Sequence, residues 1–529
     1  MTAWPKSFYA FGANLLTAGA EWRLRQKRRA AGAQQRTFAV LTARLATTAF
    51  WRDAGIVAGM SYDRFQAQVA PRGYAQLEPA IARMRRGEPH VLWPGRCAFF
   101  AVSTGTTGGP PKYLPVTEEM LRHFRRAGLD ALLAYTVRVK HAAVFRGRHL
   151  FLGGPTALTP LTDHPAHEAY AGDLSGIMTL NLPAWVDQHL YEPGAAIARL
   201  ADSPAKLQAL VARTRSLDIT LLAGLPNWVL PLAAALRANA PRGEACAGHL
   251  QGLWPNLECF VHGRTPLGPF QDELRAALGP TVRVQEVYPA SAGFIAAQDA
   301  EAGLGLRLMA DAGLFYEFIP MADFDETRLD QLGPSVVPLA GVKTGVDYAL
   351  LLTTPAGLAR YVIGDVVRFT TLEPPRLIYV GRTQLTLGAF GENILEKDLT
   401  DALVGVCRRN GWSIVNFHVA PIFVDACSRP PRGRHEWWVE LRPGTVLTPT
   451  GPAMAVELDL ALQKLNRGYA ARRQAASLEA PAVRLVMPGV FEHWLRFQNK
   501  WGGHHQMPRC RRDRCVADEL AQITSFGRD

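Results

Sequence analysis

From about residue 91 onward the chain alternates short runs rich in Val, Leu, Phe and Tyr with helix-length segments, and this alternation restricts the folds open to it. HLFLGG (149–154), ITLLAG (219–224) followed by PNWVLPLAAALRANA, LECFVHG (257–263) followed by PLGPFQDELRAALG, and VRVQEVYPAS (282–291) carry the pattern. A strand reaches a parallel neighbour only through a crossover, so repeated strand-then-helix units predict an α/β fold on a parallel or mixed sheet. From 307 to 380 the character changes. RLMA, LFYEFIPM, DYALLLTTPAG and ARYVIGDVVRFTTLEPPRLIYVGR read as hairpin-connected strands, forming a barrel-like part or an antiparallel sheet.

Residues 1 to about 90 read as a helical lead-in, from the apolar spacing of FAVLTARLATTAFWRDAGI and the segments SYDRFQAQVA and YAQLEPAIARMRRG. Beyond GRTQLTLGAFGENI the order is helix, two paired strands (WSIVNFHVAPIFV and HEWWVELRP), then the helix VELDLALQKLNRGYAARRQAA: a small α+β unit. A boundary near Arg382 therefore divides 1–382 from 383–529, as a chain of 529 residues exceeds what one core serves.

Seven scattered cysteines do not make a secreted disulfide framework, which points to a reducing cytoplasm. The basic residues near the start follow the apolar part instead of preceding it, unlike a signal peptide, and the longest apolar stretch, LLAGLPNWVLPLAAAL, carries two prolines and an asparagine. No stable membrane insertion is expected. The net charge of +12 suits anionic partners, but no helix-turn-helix, zinc finger or aromatic-rich nucleic-acid strand is present, so no nucleic-acid partner is expected. The basic run WRLRQKRR reads as the solvated face of a first helix.

The stretch FFAVSTGTTGGPPKYLPVT (99–117) holds the densest polar chemistry. Gly105, Gly108 and Gly109 let backbone amides approach an anion, Ser103, Thr104, Thr106 and Thr107 donate hydroxyls, and Lys112 adds a charge. It is not a Walker A loop: Pro110 stands where the second glycine belongs, and Tyr113 follows Lys112. By itself such a loop is as often a plain connection as a functional one.

The order S-T-G-T-T-G-G-x-x-K-x-x-P nevertheless resembles the phosphate loop of the adenylate-forming superfamily. The run GEPHVLWPGRCAFFAVSTGTTGGPPKYLPVT is similar to the matching segment of the auxin-responsive Gretchen Hagen family of acyl-acid amido synthetases. Four later segments follow in the same order: LECFVHG; EVYPASAGFIAAQD with GLFYEFIP; LARYVIGDVVRFT with YVGRTQLTLGAFGENI; and VRLVMPGVFEHW with GGHHQMPR.

That resemblance implies ATP-dependent activation of a small carboxylic acid to an acyl-adenylate, then amide formation with an amino acid. It implies ATP and Mg²⁺ as cofactors, a large N-terminal nucleotide- and acid-binding domain, and a small C-terminal domain that swivels over the cleft. It assigns Ser103, Thr104, Gly105, Thr106, Thr107, Gly108 and Lys112 to the triphosphate, Tyr288 to adenine, and Ala290 and Ser291 to the nucleotide backbone and acyl phosphate. Asp365 takes the ribose hydroxyls and Arg382 contacts ribose or phosphate at the domain junction. The residues alone leave Tyr288 open between stacking aromatic and core aromatic, and Asp365 between ribose acceptor and turn aspartate. Trp228 and His262 are the substrate-binding candidates: Trp228 for the acyl pocket, although a tryptophan at an apolar helix start is more often core, and His262 after a strand that can border the nucleotide site, equally readable as a core or loop histidine.

Two departures from the family pattern bear on the chemistry. Ala292 stands where the family has a glutamate near Mg²⁺, with Glu286 or Glu317 as possible substitutes, and Gln506 stands where it has a lysine near the acyl phosphate. These losses keep a weakened or non-catalytic nucleotide-binding relative open, and an acyl-CoA ligase shares the first half-reaction. His504, His505, Cys510 and Cys515 lack zinc spacing and have Arg511, Arg512 and Arg514 beside them, so no metal site is expected there. A monomer is expected.

Overall fold

The computed structural model describes the chain apart from residues 1–5, 27–28, 104–110, 162–167, 201–203, 240–247, 264–266, 268–270, 389, 391, 393, 426–431, 443–448, 499–506 and 527–529. The lead-in is helical, with α1 (Lys6–Arg25), α2 (Arg29–Leu45) and the helices Tyr62–Gln68 and Tyr74–Arg85. Strands β1 (Phe99–Ser103) and β2 (Lys112–Val116) then form an antiparallel hairpin with Ser103 opposite Lys112. The predicted loop-to-helix passage thus contains a strand, ended by Thr117, which accepts from Met120 N to start the helix Glu118–Val139.

The later strands are β3 (Arg148–Phe151), β4 (Thr159–Pro160), β5 (Tyr170–Gly172), β6 (Tyr191–Glu192), β7 (Ile219–Ala223), β8 (Cys259–Gly263), β9 (Arg283–Ala290) and β10 (Gly293–Ala297). They continue with β11 (Leu306–Leu308), β12 (Phe315–Pro320), β13 (Val337–Pro338), β14 (Asp347–Thr353), β15 (Tyr361–Leu372) and β16 (Pro375–Arg382). One twelve-stranded sheet runs β13-β12-β14-β15-β16-β11-β10-β9-β8-β7-β3-β6. Its half from β6 to β9 is parallel, joined by crossover helices such as Pro226–Ala238 and Gln271–Leu278; from β9 to β13 every pairing is antiparallel. Across 307–380, for which the sequence allows a barrel-like part or an antiparallel sheet, every pairing is antiparallel and the strands continue the parallel half in one sheet.

All five side chains of β7 are buried, as for a strand covered on both faces. A core centred on Leu222, Leu232, Trp254 and Phe260 lies under the parallel half, and a larger one packs the lead-in helices against the antiparallel half through Trp51, Phe65, Tyr316 and Phe318. Arg360, fully buried with φ +49°, pairs through Nε with Glu317 at 3.2 Å and donates to the carbonyls of Gln66 and Val69, tying the helix Tyr62–Gln68 to β12.

After β16 come β17 (Thr386–Leu387), β18 (Ile394–Leu395), the helix Glu396–Asn410, and a three-stranded sheet of β19 (Ile414–Asp425), β20 (Arg432–Leu441) and β21 (Ala482–Val486). A separate core of Leu399, Leu403, Phe417, Trp437, Leu458 and Tyr469 holds this part together. The single helix expected over 456–476 is broken at Asn466, whose side chain accepts from Tyr469 N and starts a second helix. The two halves meet in an Arg442–Glu273 ion pair with two hydrogen bonds.

Candidate active site

The carboxyl ends of parallel strands in an open α/β sheet leave a crevice where the chain turns away to its helices. Here the ends of β7, β8 and β9 bring Trp228, His262 and Tyr288 to one edge, and the antiparallel strands β15 and β16 add Asp365 and Arg382, paired in register. Tyr288 is 1% exposed; its hydroxyl donates to Asp365 Oδ2 at 2.8 Å and its ring meets Tyr379 edge-on at 5.6 Å. Arg382 Nε lies 3.5 Å from Asp365 Oδ1. Burial works against the Arg382 charge, but Asp365, Tyr379 and Tyr288 outweigh it and hold the guanidinium above its ordinary pKa. Tyr288 thus presents its hydroxyl to the carboxylate in place of an open ring face.

Gly364, at φ +84°, lies in the left-handed region that favours glycine, and its carbonyl accepts from Thr383 N at 2.9 Å. This link binds the exit of β16 to the turn of backbone that carries Asp365. Thr383 is 5% exposed, and its Oγ1 has no hydrogen-bond partner among the described residues. A buried hydroxyl left so costs about 1–3 kcal/mol, and a ligand group would relieve that cost.

Ser103 and Lys112 close the β1–β2 hairpin at the mouth of the segment that holds Thr104, Gly105, Thr106, Thr107 and Gly108; those five residues, like Gln506, lie outside the described residues. Lys112 Nζ sits 5.8 Å from the Tyr74 ring centroid. Burial and then Arg382 pull the Lys112 ammonium below its ordinary pKa, with Glu326 opposing. The like charges of Lys112 and Arg382 are near enough to disfavour each other, and an anion bound there would relieve that repulsion.

Ala290 and Ser291 lie at the β9–β10 turn, with Ala290 buried and Ser291 half-buried. That turn is braced from behind by His123, 3% exposed on the helix Glu118–Val139. Its Nδ1 donates to the Ala312 carbonyl at 2.7 Å and its Nε2 accepts from Phe294 N at 2.9 Å, so the two partners set the tautomer. Burial pushes its pKa down to about 4, which keeps the ring neutral. His262 is also buried, its pKa pushed down to about 4; it stacks on Phe260 at 5.9 Å, and its Nδ1 has no hydrogen-bond partner among the described residues. Trp228 is half-buried on its helix, with Lys206 Nζ 5.9 Å from the ring.

Of the two carboxylates considered as substitutes near Mg²⁺, Glu317 is excluded: it is 1% exposed and already engaged by Arg360 and, at 2.9 Å, by the Tyr62 hydroxyl. Glu286 is exposed on β9, two residues before Tyr288 and on the same strand face. Among the described residues no three His, Cys, Asp or Glu side chains stand close enough to hold a metal ion. Cys510 is buried and donates to the Leu385 carbonyl.

Reasoning from the sequence missed Thr383, Tyr379 and His123. Tyr379 and Thr383 flank Arg382 within the segment YVGRTQLTLGAFGENI, but side-chain type alone does not single out either one there. His123 lies inside an ordinary amphipathic helix and carries no signal.

Three family profiles match in order: the GH3 family N-terminal domain over residues 21–282, the GH3 family central domain over 307–382, and the GH3 family C-terminal domain over 397–515. An indole-3-acetic acid-amido synthetase, GH3.8, of Oryza sativa subsp. indica is 25% identical, with 90% of this chain and 87% of that protein covered. In structure, AtGH3.15 acyl acid amido synthetase in complex with 2,4-DB is similar with a TM-score of 0.73 at 18% identity, over 96% of each chain. A 2-hydroxyisobutyryl-CoA ligase in complex with 2-HIB-AMP is similar in fold with a TM-score of 0.58 at 14% identity, over 95% of this chain and 92% of that one. The conjunction of these profiles, in sequence order and spanning both halves of the chain, places the protein in the GH3 family.

Proposed function

We propose that the chain is an ATP-dependent acyl acid amido synthetase, which adenylates a small carboxylic acid and transfers the acyl group to the amine of an amino acid. The observation that carries this reading is Asp365 held by Tyr288 at 2.8 Å and by Arg382 at 3.5 Å, with the Lys112 charge near enough to act on that of Arg382. A carboxylate with two acceptor oxygens suits the vicinal hydroxyls of ribose, and the adjacent cations suit phosphate. Lys112, with Ser103 and the residues from Thr104 to Gly108, receives the triphosphate; Tyr288 orients Asp365 beside the adenosine. Ala290 and Ser291 supply backbone next to the α-phosphate, and the unpartnered Thr383 hydroxyl is placed to meet the nucleotide.

In the first step a carboxylate oxygen of the acid attacks the α-phosphorus, the α–β bridging bond breaks, and pyrophosphate leaves. In the second the amine nitrogen attacks the acyl carbon, AMP leaves, and the nitrogen loses a proton. Lys112 and Arg382 contribute by holding charge in fixed positions as it shifts to the leaving group. Mg²⁺ would supply charge neutralisation on the triphosphate, and of the two carboxylates considered Glu286 is the one left to help hold it. Trp228 and His262 line the acid side; the unpartnered Nδ1 of His262 supports a polar contact to the bound acid. Gln506 stands in the sequence where the family has the lysine that the resemblance assigns to the acyl phosphate. The chain divides near Arg382 into 1–382 and 383–529, and closure of the second part excludes water from the adenylate. The protein acts as a monomer in the cytoplasm.

A screen of ATP–pyrophosphate exchange across carboxylic acids tests this, followed by mass spectrometry for amides with mixed amino acids. Absence of both exchange and amide with every acid would sink the proposal. Ala292, a methyl where relatives carry a charge, favours a second reading as a nucleotide-binding relative without turnover; calorimetry then finds ATP and AMP binding while exchange stays at background.

A further inference from the structure

Among the described side chains, helix α1 packs by one face on the helix Glu118–Val139 and on the turn Ala143–Arg146 that follows it. Ala13 and Ala20 are buried there, Thr17 Oγ1 is 2.8 Å from Thr136 Oγ1, and Arg23 pairs with Asp130 at 2.7 Å. The opposite face is open: Leu15 and Trp22, two helical turns apart, are each 62% exposed, with Leu16 at 54% on the flank. A stripe of aromatic and aliphatic residues turned to water is a cost that a partner surface removes.

The charge of the segment selects among partners. Residues 1–29 hold six basic side chains (Lys6, Arg23, Arg25, Lys27, Arg28, Arg29) against the single acid Glu21. A second copy would bring an equally positive helix to the contact. Nucleic acid would match the charge and leave Leu15 and Trp22 in water. A bilayer surface with anionic headgroups answers both, taking the apolar face into the headgroup boundary and attracting the positive excess of the segment, of which the Arg25 side chain is exposed. The first twenty residues also precede the family match, which begins at residue 21. Among the described residues no helix is long and apolar enough to cross a membrane, so the contact is one of lying on the surface.

We infer that α1 docks this enzyme reversibly on anionic lipid surfaces through the face carrying Leu15 and Trp22. The basic run expected as a solvated face has Arg25 exposed, and beside it the apolar side chains of Trp22 and Leu15 are exposed as well. The test is co-sedimentation of the full chain with phosphatidylcholine vesicles and with vesicles that also contain phosphatidylglycerol. The wild type pellets with the anionic vesicles and is released by added salt. The double variant Leu15→Ser with Trp22→Ser keeps its thermal midpoint, since both side chains are exposed, and partitions at least about tenfold less. Wild-type protein remaining in the supernatant with anionic vesicles, equal binding to the uncharged vesicles, or equal binding by the double variant each overturns the inference. So does a lipid-free dimer in sedimentation velocity that the double variant converts to monomer, since a second copy then covers the face.

Discussion

Replacing Tyr288 by Phe removes one hydroxyl and keeps the ring that packs edge-on against Tyr379, so it separates two roles for this residue. If Tyr288 serves by its ring, the variant is silent. If it serves by orienting Asp365, the loss of the 2.8 Å hydrogen bond leaves a carboxylate that is 1% exposed short of a donor. Hydrogen bonds to charged groups contribute about 1.5–3 kcal/mol, and a factor of ten in affinity is about 1.4 kcal/mol, so ATP should bind roughly 10- to 100-fold more weakly. The attraction between Asp365 and Arg382 at 3.5 Å, about 5 kcal/mol gross at an effective dielectric of about 20, then dominates the carboxylate and draws it toward the guanidinium. The assay is calorimetric ATP affinity with urea unfolding for Tyr288→Phe, Asp365→Asn and the double variant. Because the two groups touch, their effects should be non-additive by about 1 kcal/mol or more. Unchanged ATP affinity in Tyr288→Phe, or simple additivity in the cycle, refutes the reasoning.

Thr383→Val preserves shape and deletes the unpartnered buried hydroxyl; stability should hold or rise while ATP affinity falls several-fold, and unaltered nucleotide binding would show the hydroxyl idle. Lys112→Ala should lower pyrophosphate exchange by about 10²-fold at an unchanged unfolding midpoint; near-wild-type exchange removes Lys112 from the triphosphate site. Arg360→Met leaves Glu317 buried without its cation and should cost about 3–5 kcal/mol in urea unfolding, against under 1 kcal/mol if the pair is dispensable. His123, with its folded pKa near 4 against about 6.5 unfolded, binds a proton more readily in the unfolded chain between those values. Its contribution is therefore complete above about pH 6.5 and lost as pH falls toward 4, about 2 kcal/mol by pH 5; unfolding midpoints across that range should flatten in His123→Gln.

Much of the fold was legible from pattern. Periodicity and crossover logic use only residues close in sequence, so the strands around HLFLGG, ITLLAG, LECFVHG and VRVQEVYPAS appear where expected, as do the lead-in helices. The strand Lys112–Val116 was hidden, because KYLPV follows a glycine- and proline-rich segment and reads as the approach to a helix. Asn466 splits one expected helix because its side chain caps the next turn, a competition that helical periodicity does not register.

The sequence by itself determined the kinds of element, their order, and the chemistry-bearing residues that short motifs hold together, because these depend on side-chain identity and near neighbours. Only the tertiary structure decided which of those residues meet. Tyr288 and Asp365 are 77 residues apart in the chain and 2.8 Å apart in the fold, although β16, β11 and β10 lie between their strands in the sheet, so it is the curl of the sheet that brings the two side chains together. It also decided what each group is free to do: Glu317, available on paper, is committed to Arg360, and the first helix turns Leu15 and Trp22 outward. Burial and pairing are sums over distant segments, and no local stretch of sequence contains them.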